Sequence, residues 1–304
     1  MAACSSTPVG RVSSELDVRS LGDTAGNERH YRDLLWQAIA KDSYRCVPPA
    51  SEVFTPPALT WPTRRIRGRV PHYDWFEGPM KYRVGAVPWG ETGSVWLVSV
   101  NVVVEPTDDD VLELPDCALQ TRLGDAVSCS GVPYEEDPGV EACPGSGSFE
   151  VSASREHQIE LLARWSRDVE AYYNRDAERY NLPVRYDFEF RLIDEASSNE
   201  TDLRIPLSST CGRTPYFVAL RSGWSIPILA HEMGHFLGLI DEYEALSGIT
   251  SLYPKTPFTG SEGSRMGLSM KTHTRFYPFH HYLVLRRWHC EPEQKRDYGK
   301  VLRP

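Results

Sequence analysis

The sequence predicts an α+β fold, and three stretches carry that prediction. In residues 154–180, Ile159, Leu162, Trp165, Val169, Tyr172 or Tyr173, Ala177 and Tyr180 recur at three- and four-residue intervals. That period predicts an amphipathic helix of about seven turns. Directly after it, "VRYDFEFRL" alternates: Val184, Tyr186, Phe188, Phe190 and Leu192 share one face, and Arg185, Asp187, Glu189 and Arg191 the other. This is the pattern of a half-buried strand. Upstream, "GSVWLVSVNVVVE" is a mostly apolar, valine-rich run suited to a buried strand.

The remaining elements follow in order. Residues 1–28 are polar and rich in Ser and Gly, a flexible N-terminus. In residues 29–42, Tyr31, Leu34, Leu35 and Ala38 have helical spacing. "CVPPASEVFTPPALTWP" is too rich in proline for a helix, and proline would confine any strand there to an edge. Residues 80–105 read as β, with "PWGETG" as a turn inside them. Residues 106–150 turn acidic and rich in Gly and Pro, with three cysteines, and read as long loops stapled by disulfides. Asp108, Asp109 and Asp110 could bind calcium, although solvated charge is the simpler reading. A boundary near residue 150 thus separates a β-rich N-terminal region, 29–150, from a second domain, 151–304. Within the latter, Asn181 and Pro183 close the long helix, and residues 214–221 form a further short strand. Gly223, Ser225 and Pro227 then start another helix.

Composition narrows the function. The chain has 304 residues, 40% apolar and 25% charged, which allows a sizeable core. Net charge is −9, and no basic stripe stands out, so neither nucleic acid nor an anionic membrane surface is an expected partner. No stretch is apolar over the length a transmembrane helix needs. "AAC" followed by "SS" looks like the end of a bacterial lipoprotein cleavage site, which would make Cys4 a lipid-anchor candidate beside the plainer reading of a loose terminal cysteine. The other six cysteines, Cys46, Cys117, Cys129, Cys143, Cys211 and Cys290, contain no CxxC pair. They fit disulfides and an oxidising compartment, hence a secreted or cell-surface protein. Asn199 begins an N-x-T glycosylation signal that only a eukaryotic secretory host would use.

The helix after Pro227 carries the chemistry. "ILAHEMGHFLGLIDEYE" contains His231-Glu232-x-x-His235. Residues four apart on a helix share a face, so both imidazoles can reach one metal ion, with Glu232 beside it as general base. Neutral imidazole suits zinc. Gly238 stands where a helix needs a residue tolerant of positive φ to turn out, and Asp241 comes three residues later. That turn would bring Asp241 back as the third ligand of a catalytic site. Two histidines in an apolar helix could instead be satisfied core residues, but Glu232, Gly238 and Asp241 together argue against it.

The residues "HEMGHFLGLIDEYE" resemble the metzincin-like zinc metallopeptidases, including snapalysin, immune-inhibitor-A-type and IgA-cleaving enzymes. The resemblance is specific over about 17 residues and does not extend to residues 1–150. It implies a zincin fold with a mixed sheet and an active-site helix, one catalytic Zn2+, and endopeptidase activity on protein or peptide substrates. It implies His231, His235 and Asp241 as ligands and Glu232 as general base. It also implies a methionine in a tight turn beneath the metal, for which "GSEGSRMGLSM" offers Met266, with Met270 as the weaker candidate. The helix "YPFHHYLVLRRW" would close the domain, and Tyr243 is a candidate to stabilise an oxyanion. If the fold were thermolysin-like, Glu291 would be eligible as third ligand. Glu242, Glu244, His273, His280 and His281 are further candidates. "YRCVPP" is faintly similar to the cysteine switch of matrix metalloproteases, although Cys46 is more simply half of a disulfide. A monomeric, secreted or surface-bound enzyme is the leading reading. The alternatives are a toxin of the same fold delivered into other cells, and a non-catalytic module that keeps zinc for structure.

Overall fold

The computed structural model describes residues 39, 42–44, 46–73, 76–91, 93–106, 111–115, 148–152, 155–193, 201–208, 218–221, 224, 226–242, 263–267 and 274–292. In chain order the elements are α1 (Ala50–Val53), β1 (Arg64–Tyr73), β2 (Phe76–Trp89), β3 (Gly93–Pro106), β4 (Val111–Pro115) and β5 (Ser148–Ser152). Then come α2 (Arg155–Arg179), β6 (Val184–Leu192), β7 (Leu203–Ser208), β8 (Leu220–Arg221), α3 (Ile226–Phe236) and α4 (Pro278–His289).

A mixed six-stranded sheet organises them, with the valine-rich β3 at its centre. β2 pairs antiparallel with the first part of β3, from Gly93 to Ser99. β7 pairs parallel with its last part, from Val102 to Pro106. β6 runs parallel along Trp96 to Val104, so it takes the opposite edge from β2 and β7. β1 lies outside β2, and β8 lies outside β7. β4 and β5 form a separate antiparallel pair.

β6 buries Val184, Tyr186, Phe188, Phe190 and Leu192, as its alternation predicts. The 25-residue α2 packs on that face, with Trp165 against Phe190 and Tyr173 against Tyr186 and Phe188. Ile159, expected on the apolar stripe, is 37% exposed, because the first turns of α2 run past the end of the buried contact. Asn181 adopts φ 52° just beyond the helix. There Leu182 N–H donates to Ala177 O and Asn181 N–H to Glu178 O, which satisfies the last carbonyls. α4 covers the same sheet face: Tyr82 Oη donates to Val284 O at 2.9 Å, and the Trp96 and Trp288 rings lie 5.1 Å apart.

Several expectations change. The sheet takes its central strand from the first half of the chain, and strands from the second half flank it, so a boundary at residue 150 does not divide the described sheet. β1, β4, β5 and β7 were not expected; β1 is masked in the sequence by its arginines, Gly68 and Pro71, β7 by Pro206, and the segment read as long loops over 106–150 contributes β4 and the start of β5, whose short strands are hidden by the Gly, Pro and acidic residues around them. Within residues 214–221 only Leu220 and Arg221 pair as strand among the described residues. A one-turn helix, α1, does form in the proline-rich segment, because none of its four residues is proline and Pro49 O accepts from the Glu52 and Val53 N–H groups. A basic stripe exists after all: Arg65, Arg67 and Arg69 are exposed on one face of β1. Of the helix expected over residues 29–42, only Ile39, Asp42 and their neighbours Ser43 and Tyr44 are described. Cys4, Asp108, Asp109, Asp110, Cys117, Cys129, Cys143, Asn199 and Cys211 lie outside the described residues.

Cys46 is bonded to Cys290, 244 residues away, with a Cα–Cα distance of 5.6 Å. A cysteine switch at Cys46 is thereby ruled out, since a disulfide sulfur offers no thiolate to a metal. Tyr282 Oη donates to Pro48 O at 2.7 Å, and buried Asp42 accepts from Arg286 and Arg287. These bonds stitch residues 42–54 to α4.

Candidate metal centre

α3 is buried along its length from Pro227 to Phe236. Apolar side chains at Ile228, Leu229, Met233 and Phe236 supply the burial that holds it, and Tyr173 Oη of α2 donates to Ala230 O at 2.8 Å. Two residues past the end of the helix stands Gly238, whose φ is +86°. Leu239 N–H donates to Gly234 O and Gly238 N–H to His235 O. This is the Schellman pattern that glycine permits. A Cβ at Gly238 would sit 2.3 Å from Met80 Sδ and 2.7 Å from Arg287 Cζ, so the position is closed sterically as well.

The turn returns the chain to the helix face. Asp241 Oδ1 lies 3.1 Å from His231 Nε2 and 3.2 Å from His235 Nε2. All three side chains are buried. Tetrahedral zinc with ligands at about 2 Å holds them about 3.3 Å apart, so the observed separations fit. The ring orientations fit too. His231 Nδ1 lies 2.8 Å from Arg265 O, and His235 Nδ1 lies 2.9 Å from Leu239 O. A carbonyl can only accept, so each Nδ1 carries a proton and each Nε2 is left facing the shared point, where it offers a lone pair to a metal ion or, when protonated, donates to Asp241. Metal-binding histidines are oriented in this way. These three groups could hold a metal ion.

Electrostatics point the same way. Burial works against a charged His235, but the Asp241 carboxylate and its hydrogen bond, with Glu232 behind them, push it up to about 9. Burial would raise Asp241, yet His235 and hydrogen bonds from both imidazoles hold its carboxyl well below the usual carboxylate range. The cluster retains a cation, whether proton or metal. Glu232 is buried beside His231 on α3, near enough to act on the charge of His235.

Beneath the helix runs the turn at residues 264–267, closed by Gly267 N–H to Ser264 O. Met266 is fully buried there. A Cβ on Gly234 would stand 2.6 Å from Met266 Sδ, so the thioether packs where only glycine leaves room. The same turn fixes two parts of the centre. Arg265 O accepts from the His231 ring, and Met266 O accepts from Glu242 N–H at 2.9 Å. The buried Arg265 guanidinium sits 4.3 Å from the Tyr172 ring centroid and donates to Thr274 O. That ties the turn to α2.

Three supports were not foreseen. Arg287 of α4 donates from Nη1 to Leu237 O and from Nη2 to Gly238 O, at 2.7 and 2.8 Å. It clamps the turn that carries Asp241, while its Nε meets Asp42 at 2.6 Å and Nη1 also meets Tyr82 Oη at 3.1 Å. Second, His280 Nε2 lies 2.5 Å from Glu242 Oε1. His280 Nδ1 accepts from Tyr277 N–H at the start of α4, so the His280 proton sits on Nε2 and is donated to Glu242. Third is the Arg265 anchor. The available signal was two arginines inside an apolar helix, "LVLRRW", and an acid directly after Asp241. The other ligand candidates stand elsewhere. Glu291 is exposed and pairs with Arg64, and His281 bonds Tyr186 Oη at 2.7 Å. Tyr243, Glu244, Met270 and His273 lie outside the described residues.

Comparison of the chain with protein-family models, with curated proteins and with solved structures found no match.

Proposed function

We propose that the chain is a zinc-dependent endopeptidase with a metzincin-like centre. One observation carries the reading: His231 Nε2, His235 Nε2 and Asp241 Oδ1 converge from an HExxHxxGxxD stretch, with both Nδ1 protons turned away to carbonyls. His231, His235 and Asp241 would hold the ion. Zinc supplies Lewis-acid chemistry, polarising a carbonyl and making water a better nucleophile near neutral pH. Glu232 takes a proton from the attacking water and delivers it to the leaving amine nitrogen. Met266 and the Arg265 carbonyl keep the helix and the His231 ring in place. Among the described residues β8 is the last strand of the sheet on its side, and its outer edge can pair with an extended peptide. The Cys46–Cys290 disulfide is consistent with an extracellular setting.

The test is a digest of a diverse peptide mixture read by mass spectrometry, with zinc content measured in parallel. Glu232→Ala should retain one zinc per chain and lose about 100- to 10,000-fold in cleavage rate. Wild-type cleavage by that variant would remove Glu232 from the role. Zinc binding without cleavage by the wild type would point to a non-catalytic module.

A further inference from the structure

The sheet face turned away from α2 and α4 carries a concentrated positive charge. Arg65, Arg67 and Arg69 alternate along β1, with Ile66 buried between them on the opposite side. Register places Arg65 directly opposite Arg83, and Arg67 directly opposite Lys81. Directly opposed residues share a face, so five cations occupy one strip two strands wide. The strip spans about 14 Å along β1 at the usual strand rise. Arg83 has a counter-charge, Asp202 at 3.2 Å, and Lys81 Nζ donates to Thr201 O at 2.8 Å. Among the described residues Arg65, Arg67 and Arg69 have no carboxylate partner. Burial lowers the pKa of Lys81 first, and Arg65, Arg67 and Arg83 lower it further against the pull of Asp202.

Like charges set directly opposite each other destabilise a sheet. This chain keeps two such pairs although its net charge is −9. Protection of an edge strand against aggregation would explain arginines on β1. It does not explain Lys81 and Arg83, which stand on β2 inside the sheet, and Tyr44 Oη already covers the β1 edge at Arg67.

We propose that this face docks an extended acidic segment of a partner polypeptide. Charge complementarity gives the sign. The repeat gives the form: a strand presents every second side chain on one face at about 6.8 Å, and Arg65, Arg67 and Arg69 repeat at that same interval. Arginine forks bind carboxylates in bidentate fashion, which suits an acidic peptide lying along β1. A single-stranded nucleic acid would call for aromatic platforms. Across β3 and β6 from these cations stand Ser99, Asn101, Asp187 and Glu189, and the exposed Trp89 farther along this face of β2 already carries the Arg185 guanidinium over its ring at 4.4 Å.

The experiment uses the full chain and a fluorescent peptide alternating Glu and Thr over about twelve residues, read by anisotropy. Binding should appear at low salt and weaken about tenfold as salt rises from about 0.05 to about 0.3 M. The triple variant Arg65→Ser, Arg67→Ser, Arg69→Ser should bind at least about tenfold more weakly, with its zinc content unchanged. Should that variant fail to fold, Arg67→Glu tests the same surface alone. Equal binding of wild type and variant would overturn the site. Equal binding of a peptide with the same glutamates in one block would overturn the extended form. Tighter binding of duplex DNA, a sulfated oligosaccharide or anionic vesicles would overturn the choice of partner.

Discussion

His231 and His235 stand on one helix, four residues apart, whereas Asp241 reaches the same point from a turn. The two halves of the centre are held by different physics. Helix geometry alone puts the imidazoles on one face, and it would do so in any stable helix. The position of Asp241 depends on groups scattered along the chain: Gly238 for the backbone, Arg287 for the turn carbonyls, Met266 O and His280 for Glu242 beside it. Local structure supplies two of the candidate ligands, and tertiary structure supplies the third. The turn side should therefore be the fragile one.

Gly238→Ala breaks that side most severely. The new methyl would face φ +86° and overlap Met80 and Arg287. A loss of about 3 kcal/mol in a denaturant titration is expected, together with loss of the proposed zinc binding. Arg287→Lys is gentler. It keeps a charge for Asp42 but loses the fork that grips Leu237 and Gly238. Zinc affinity should fall about 10- to 100-fold by chelator competition, with helical content unchanged. Unaltered affinity would mean that the turn holds itself.

Acid should loosen α4, which carries both Arg287 and His280. Burial, with His280 adding to it, pushes His281 down to about 3 from its ordinary 6.5. A group depressed in the folded state takes its proton first in the unfolded state. Its contribution is present above pH 6.5 and is lost as pH falls from there toward 3. The slope is at most about 1.4 kcal/mol per pH unit. His281→Gln should flatten stability between about pH 6.5 and 5, above the range of ordinary carboxylates. An unchanged slope would assign the acid sensitivity elsewhere. Smallest of all, Asn181→Gly relieves a positive φ far from the centre. Stability should change by less than about 1 kcal/mol in a thermal melt, and zinc affinity should not change.

The same division explains what could be read in advance. α2, β6 and the two histidines announce themselves through period, because each is a local pattern. Asp241 was legible because Gly238 advertises the turn. Arg287 and His280 were not, since nothing near them in sequence says that α4 packs against the end of α3. β1 was hidden for a related reason. Its outward face is cationic rather than merely polar, and its inward face relies on Ile66 and on Gly68, which leaves room for Met80. A charge total averaged over the chain then hid the stripe that the strand period creates.

The Cys46–Cys290 bond has a topological consequence. It closes residues 46–290 into a covalent ring that contains every helix and strand described above. On the proposed peptidase reading, copies of the chain are substrates for one another, and surface loops are the first places to be cut. One cut anywhere inside a ring linearises it but releases nothing. A singly nicked molecule would keep His231, His235, Asp241 and the turn beneath them on one connected chain, and would travel as a single species until reductant opened it.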